Sequence, residues 1–225
     1  MYFTKYMQVN SINNTSFTGI PISEIKVKGK NSIYKLYDIS PKDSPFLNRM
    51  YDSINLKKNY PGLSEKEYFL WQGLLKTGIE NAANSDKKVL LETCDNVPCG
   101  ILNYIAGPKR YNLSYIVTFP TKPKEKVPCA GQILFNELFK RFIPDSANFI
   151  ELQAMREAPF SPVTKYLRLG FKMHGGDSIS EEMSIGKDGA AAALAKQKEF
   201  LTSKVLSNQP DEDFDKTLHL IDELA

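Results

Sequence analysis

Residues 111–132 read YNLSYIVTFPTKPKEKVPCAGQ, a strand-like alternation that runs into a lysine-bearing loop and then a helix start. Within Tyr111 to Phe119, Leu113, Tyr115 and Val117 fall on one face and Asn112, Ser114, Ile116 and Thr118 on the other, the period of two of a half-buried strand. The strand ends near Pro120. Lys122, Lys124 and Lys126 then precede Gly131, and Leu134, Leu138 and Phe142 recur at i, i+4 and i+8, which predicts an amphipathic helix. Pro128 suits that helix's first turn, because the donor it lacks would have no intrahelical acceptor there. Amides at such a start, with no bulky side chain at Ala130 or Gly131, can point at a pyrophosphate whose charge the helix dipole favours. The loop is therefore a candidate anion cradle. It matches neither G-x-x-x-x-G-K-[ST] nor G-x-G-x-x-G.

Downstream, Asn148 to Met155 (NFIELQAM) reads as another strand, and Ser161 to Phe171 (SPVTKYLRLGF) as a helix ending in Tyr166-x-x-x-Gly170-Phe171. Taken in order, these segments resemble the GCN5-related N-acetyltransferase (GNAT) superfamily, whose signature is basic-x-x-Gly-x-Gly/Ala at the start of a helix after the fourth strand. Lys126-Val-Pro-Cys129-Ala-Gly131 occupies that pattern. Cys129 stands where the first glycine is usual and Lys126 where arginine or glutamine is more common. Pro159 stands where the family often carries an asparagine. The resemblance covers roughly residues 33–186, and its specific motifs lie between about 113 and 171.

The resemblance implies an α/β fold with a mixed, mostly antiparallel central sheet flanked by helices, and acetyl-coenzyme A as cosubstrate. An amine of a small molecule or protein would attack the thioester directly. Lys126, Val127, Cys129, Ala130, Gly131 and Gln132 would hold the pyrophosphate. A backbone amide among Val117, Thr118 and Phe119 would hold the oxyanion, since preorganised amides stabilise charge that develops in the transition state. Tyr166 would protonate the departing thiolate. Glu151 and Glu92 are candidate general bases, and Arg156 and Glu157 candidate substrate contacts. The alternative is a non-catalytic protein of the same fold that binds coenzyme A, or a protein partner through its C-terminal helices.

With 225 residues, 42% hydrophobic and 24% charged, the chain can bury a sizeable core in one domain plus appendages. A net charge of +3 with dispersed lysines lacks the basic stripe of a nucleic-acid binder, so no nucleic-acid partner is expected. MYFTKYMQVNSINN has no apolar core of the kind that marks a secretory signal, and no apolar run approaches the roughly 20 residues that span a bilayer. A cytoplasmic protein without a membrane partner is the expectation. Cys94, Cys99 and Cys129, an odd count, suit a reducing compartment, and with His174 and His219 they show no metal-ligand spacing. Cys129 has no obvious histidine partner and reads as a buried or helix-start thiol, a position that lowers a thiol's pKa.

Residues 1–30 carry no convincing period and read as an N-terminal arm, residues 31–187 as the acyltransferase-like domain, and 188–225 as a C-terminal helical extension. Within the domain, Ser32 to Ile39 predicts a strand, residues 43–55 a helix, and Ser64-Glu65-Lys66-Glu67 a capping box opening a helix with Tyr68, Trp71, Leu75 and Ile79 on its apolar face. Lys88–Thr93 and Pro98–Ala106 form a hairpin through Cys94-Asp95-Asn96-Val97, and Lys172–Gly175 with Glu182–Gly186 a closing one. In the extension, a helix from Asp188 to about Leu206 is followed by an acidic one from Asp211 to Leu224, and these C-terminal helices could pack on their own domain, form a homodimer or bind a basic partner, the apolar stripe favouring intrachain or dimer packing.

Overall fold

A computed structural model describes residues 17–54, 62–118, 127–156 and 161–206. Among them, nine strands form one sheet: β1 (Ile20–Val27), β2 (Ile33–Ile39), β3 (Lys88–Cys94), β4 (Val97–Ala106), β5 (Arg110–Thr118), β6 (Phe149–Met155), β7 (Lys172–Gly176), β8 (Ser180–Gly186) and β9 (Leu201–Val205). Their spatial order is β7-β8-β6-β5-β4-β3-β2-β1-β9. Every neighbouring pair is antiparallel except β5 and β6, which run parallel. This is the mixed, mostly antiparallel sheet expected from the sequence.

Helices cover both faces. Residues α1 (Ser44–Ser53) and α2 (Glu65–Glu80) pack Phe46, Leu47, Met50, Trp71, Leu75 and Ile79 against Tyr37, Val89, Leu91, Ile101 and Val117. On the other face, α3 (Ala130–Phe142), α4 (Pro162–Leu169) and α5 (Lys187–Gln197) cover Leu36, Leu90, Leu102, Leu113, Ile150 and Leu152. Alternation along β3 sends Leu90 to the α3 side and Val89 and Leu91 to the α2 side, as a strand buried on both faces requires. The stripe Leu134, Leu138 and Phe142 is fully buried, each side chain contributing about 1.5–3 kcal/mol by leaving water.

Local chemistry sets the element ends. Ser64 caps α2, its Oγ accepting from the Glu67 amide at 3.3 Å while Glu67 Oε2 accepts from the Ser64 amide at 2.9 Å; such a cap stabilises a helix by about 1 kcal/mol. Asp95 and Asn96 join β3 to β4 with φ of 51° and 67°, the left-handed pair that a two-residue hairpin turn needs and that Asp and Asn tolerate. Asn103 ties β4 to α2 by donating to the Gly78 carbonyl at 2.9 Å.

Several expectations change. Ile20–Val27, assigned to the arm, is a sheet strand, because Ile25 and Val27 alternate into the core beneath the α3 side. The helix from Asp188 stops at Gln197, and Leu201–Val205 instead pairs with β1. α5 packs on α3 of its own chain, through buried Ala190 and Ala193 and the Asn136 Nδ2 bond to Gln197 Oε1 at 2.9 Å. Pro128 lies outside α3, which begins at Ala130. Finally, β5 does not keep one alternation: Asn103 opposes Tyr115 and Tyr104 opposes Leu113, so Ser114 is an extra residue. That bulge flips the pleat, and Leu113 and Val117 pack on opposite faces. Residues 211–224 lie outside the described residues. No described helix is long and apolar enough to cross a membrane.

Candidate active site

The bulge at Ser114 stands where β5 leaves β6. The parallel register runs only from Arg110 opposite Phe149 to Leu113 opposite Leu152. Beyond it, β5 stays with β4 as far as Thr118 and β6 stays with β8 as far as Met155, so the two strands diverge. A bulge bends and twists its strand, which accounts for the divergence beginning there. Alternate backbone amides and carbonyls of residues 114–118 on the β6 side are left without a strand partner. The gap opens a cleft of about 840 Å³ that passes through the sheet, with Leu70, Trp71 and Leu74 on the α2 side and Phe135 and Tyr166 on the α3 side.

The start of α3 forms one wall. Cys129 is its N-cap, at φ 64° and ψ 1°, and its carbonyl accepts the Ile133 amide at 2.9 Å. No side chain caps this end and its first turn carries no acid, so the amides of Ala130, Gly131 and Gln132 have no intrahelical acceptor and the positive end of the dipole is uncompensated. The left-handed turn that a glycine would adopt freely is made here by cysteine. Gly131 is not demanded by packing: a Cβ there would meet only Thr118 Cγ2, at 3.9 Å. Its bareness leaves open space in the cleft, which fits a pyrophosphate approaching the backbone.

Several contacts hold α3 in place. Tyr34, fully buried on β2, donates its hydroxyl to the Pro128 carbonyl at 2.9 Å. Arg141, at the far end, makes a bidentate pair with Asp38 at 2.8 and 2.9 Å and a further bond to Glu137 at 2.9 Å. Planar forks of this kind fix orientation as well as charge.

Tyr166 faces the cleft from α4, its ring set edge-on to Phe135 at 5.7 Å. Gly170, at φ 98°, ends that helix, and the Phe171 amide donates to the Tyr166 carbonyl at 3.0 Å. Phe171 then turns into the core beside Phe135 and Phe139. This is what the Tyr-x-x-x-Gly-Phe spacing accomplishes: a left-handed stop that buries the phenylalanine and leaves the tyrosine at the cleft. Desolvation pushes the Tyr166 hydroxyl up to about 12, so it remains a proton donor at neutral pH.

Of the residues singled out from the sequence, Val117, Thr118, Val127, Cys129, Ala130, Gly131, Gln132 and Tyr166 all line this cleft. Phe119, Lys126, Lys122, Lys124 and Glu157 lie outside the described residues. The two carboxylates are placed elsewhere. Glu151 is bound to Arg110 at 2.8 Å, beside the paired part of β5 and β6 rather than the open part. Glu92 is fully buried under α3 with neither oxygen hydrogen-bonded, and the bare Cα of Gly100 makes room for it: a Cβ there would lie 2.9 Å from Oε2. Burial pushes the Glu92 carboxyl well above its usual range, so it is held neutral and faces core instead of a substrate. Arg156 is paired with Glu181 at 2.6 Å.

Cys129 also departs from expectation. Burial raises its thiol pKa, the opposite of the lowering expected at a helix start. The thiol is therefore held in its neutral form at neutral pH. The sequence reading missed Gln153, which alternates away from the buried Leu152 and Ala154 and lines the gap. It also missed Asp177 in the β7–β8 turn, whose only signal was its place among turn glycines.

The chain is similar in fold to solved structures. An uncharacterized protein from Bacillus halodurans, 11% identical, superposes with a TM-score of 0.54 over 82% of this chain and 98% of that one. A PaiA N-acetyltransferase from Thermoplasma acidophilum in complex with coenzyme A is 20% identical, with a TM-score of 0.48 over 68% of this chain and 98% of that one. An aminoglycoside 6'-acetyltransferase type Ii is 18% identical, again at 0.48, over 68% and 96%. No protein-family model and no curated protein matches the sequence. At these identities the likeness is one of fold.

Proposed function

We propose, from the GCN5-related N-acetyltransferase fold that this chain has, that it transfers an acetyl or other acyl group from coenzyme A to an amine. The observation that carries the reading is convergence: an uncapped helix start, an unpaired strand edge and a protonated tyrosine border one cleft.

Bound acetyl-coenzyme A would supply a thioester whose carbon–sulfur bond is exchanged for a carbon–nitrogen bond. The amides of Ala130, Gly131 and Gln132 bind the pyrophosphate, with the dipole of α3 behind them. A β5-edge amide at Val117 or Thr118 donates to the thioester oxygen, an interaction that strengthens as charge develops there. Tyr166 holds a proton at its hydroxyl for the sulfur that leaves, and recovers one from water as the acceptor nitrogen releases its own. Thr118 stands between the helix start and the strand edge, next to Gly131, which keeps the two binding elements contiguous.

Calorimetric titration with acetyl-coenzyme A, dephospho-coenzyme A and adenosine diphosphate tests the cradle, and thiol release with an amine panel tests turnover. Micromolar binding that requires the pyrophosphate, with thiol release, is the expected result. Binding without turnover on any amine would favour the non-catalytic alternative, and no binding would remove residues 127–132 from a cofactor role.

A further inference from the structure

The α2 side of the cleft is more specific than an open amine port. We infer that it takes a monoamine carried on an apolar body, an arylalkylamine or alkylamine with one positive charge, and that Asp177 draws the ammonium to the mouth; this rests on the acyltransferase reading above.

The wall comes first. Leu70, Trp71 and Leu74 present an apolar surface from α2. Met155 pairs with Ser180, which places the β7–β8 turn at the free end of β6, where the gap is open. In that turn Ile179 is 64% exposed while lining the cleft. A large aliphatic side chain standing in water on a cleft that also has an apolar wall marks a surface that an apolar ligand body can complete, at about 25 cal/mol for each Å² covered.

Charge narrows the class. Among the described residues that line the cleft, Asp177 is the one carboxylate. Its Oδ1 accepts from the amides of Ser180 at 2.6 Å and Ile179 at 2.8 Å, and from the Ser180 hydroxyl at 3.2 Å. These bonds fix the carboxylate; Arg156 also acts on it from the end of β6, but its guanidinium is committed to Glu181 at 2.6 Å. The cations on the cleft, Lys165 and Arg168, belong to α4 on the opposite face, beside Tyr166. A polyamine, an aminosugar with several ammonium groups or a basic peptide would need several anions and finds one among the described residues. An amino acid or other anionic acceptor would bring its carboxylate toward Asp177. A single ammonium on an apolar body satisfies both walls, and because Asp177 is at the solvent-exposed mouth, the proton that the amine must lose can pass to water.

The test is calorimetric titration of 2-phenylethylamine, spermidine, β-alanine and a lysine peptide into protein saturated with coenzyme A, repeated on free protein. We expect 2-phenylethylamine to bind at least about tenfold more tightly than the others. Asp177→Asn keeps the Oδ1 acceptor for the turn and removes the charge; it should weaken 2-phenylethylamine binding about threefold to fivefold. Ile179→Ser, at an exposed position, should weaken it about fivefold. Coenzyme A affinity should be unchanged in both variants. Equal or tighter binding of spermidine or the peptide, no effect of Asp177→Asn, or no amine binding in either state would overturn the inference. Loss of coenzyme A binding by the unaltered protein would instead overturn the acyltransferase reading, and the free-protein titrations would still report on the amine site.

Discussion

Tyr34 on β2 and Pro128 in the turn before α3 are separated by 94 positions and joined by one hydrogen bond of 2.9 Å, from a hydroxyl inside the sheet to the carbonyl that precedes the candidate anion cradle. Tyr34→Phe keeps the ring and removes that tether. Stability should fall by about 1 kcal/mol. Coenzyme A affinity should fall by more than that loss alone would explain, because the Cys129 turn is no longer held. Matched denaturation and calorimetry would decide it; unchanged affinity would mean the turn is positioned without Tyr34.

Cys129 occupies a left-handed conformation that costs a non-glycine residue about 1–2 kcal/mol. Cys129→Gly should therefore raise the melting temperature by up to about 2–4 °C, after the greater flexibility of glycine in the unfolded chain is set against the relief. Cys129→Val should lower it, since a β-branched residue fits that region poorly. If both variants melt as the unaltered protein does, the turn carries no strain.

Gly131 separates a structural from a ligand-directed role. Gly131→Ala meets nothing closer than Thr118 Cγ2 and improves helix propensity, so thermal stability should hold or rise by up to about 1 kcal/mol. The same methyl stands in the cradle and should weaken coenzyme A binding, and Gly131→Asp should abolish it by adding a negative charge. Parallel melting and titration curves give the answer. Affinity retained in Gly131→Asp would place the pyrophosphate elsewhere.

Tyr166→Phe should lower kcat by about tenfold to a hundredfold while sparing coenzyme A affinity. With its hydroxyl at about 12, Tyr166 stays protonated through the alkaline range in which most enzymes survive. The pH profile of kcat should then show no basic limb from this group below about pH 10. A limb near pH 9 that disappears in Tyr166→Phe would contradict the desolvated environment described for it.

Glu92 links stability to pH. Its folded-state pKa is raised by burial, so the proton it carries favours the folded state. That contribution is complete below the unfolded value, about 4.5, and declines as pH rises toward the folded value, by up to about 1.4 kcal/mol per unit. Urea denaturation between pH 4.5 and 8 should show this slope in the unaltered protein and its loss in Glu92→Gln. Identical slopes would mean the carboxyl is charged in the fold.

Much of the site was legible because it depends on local chemistry. The Tyr166, Gly170 and Phe171 spacing fixes a helix end, and the stripe Leu134, Leu138 and Phe142 fixes the helix whose start lines the cleft. What stayed hidden depends on partners distant in sequence. The extra residue at Ser114 is invisible in the alternation of β5 and emerges only against Asn103 and Tyr104, yet it determines which face Val117 serves. Glu92 looked like a base because a carboxylate on a strand has two possible faces, and the one it takes is set by the overlying α3. Ile25 and Val27 alternate clearly enough, but Asn- and Ser-rich sequence before them masked a short strand.

The pairing of β1 with β9 has a consequence for how the molecule is made. These are the earliest and latest of the described strands, and Ile25 lies opposite Ser203. During synthesis β1 can form a hairpin with β2 almost at once, but its outer edge waits, with its amides and carbonyls bare, until Leu201–Val205 has left the ribosome. A stalled or clipped product that stops at Phe200 would carry that edge permanently and offer it to the strands of other molecules. The short terminal strand acts as a seam: it brings little core of its own beyond Leu201, and it carries Lys204, exposed, on the new edge of the sheet.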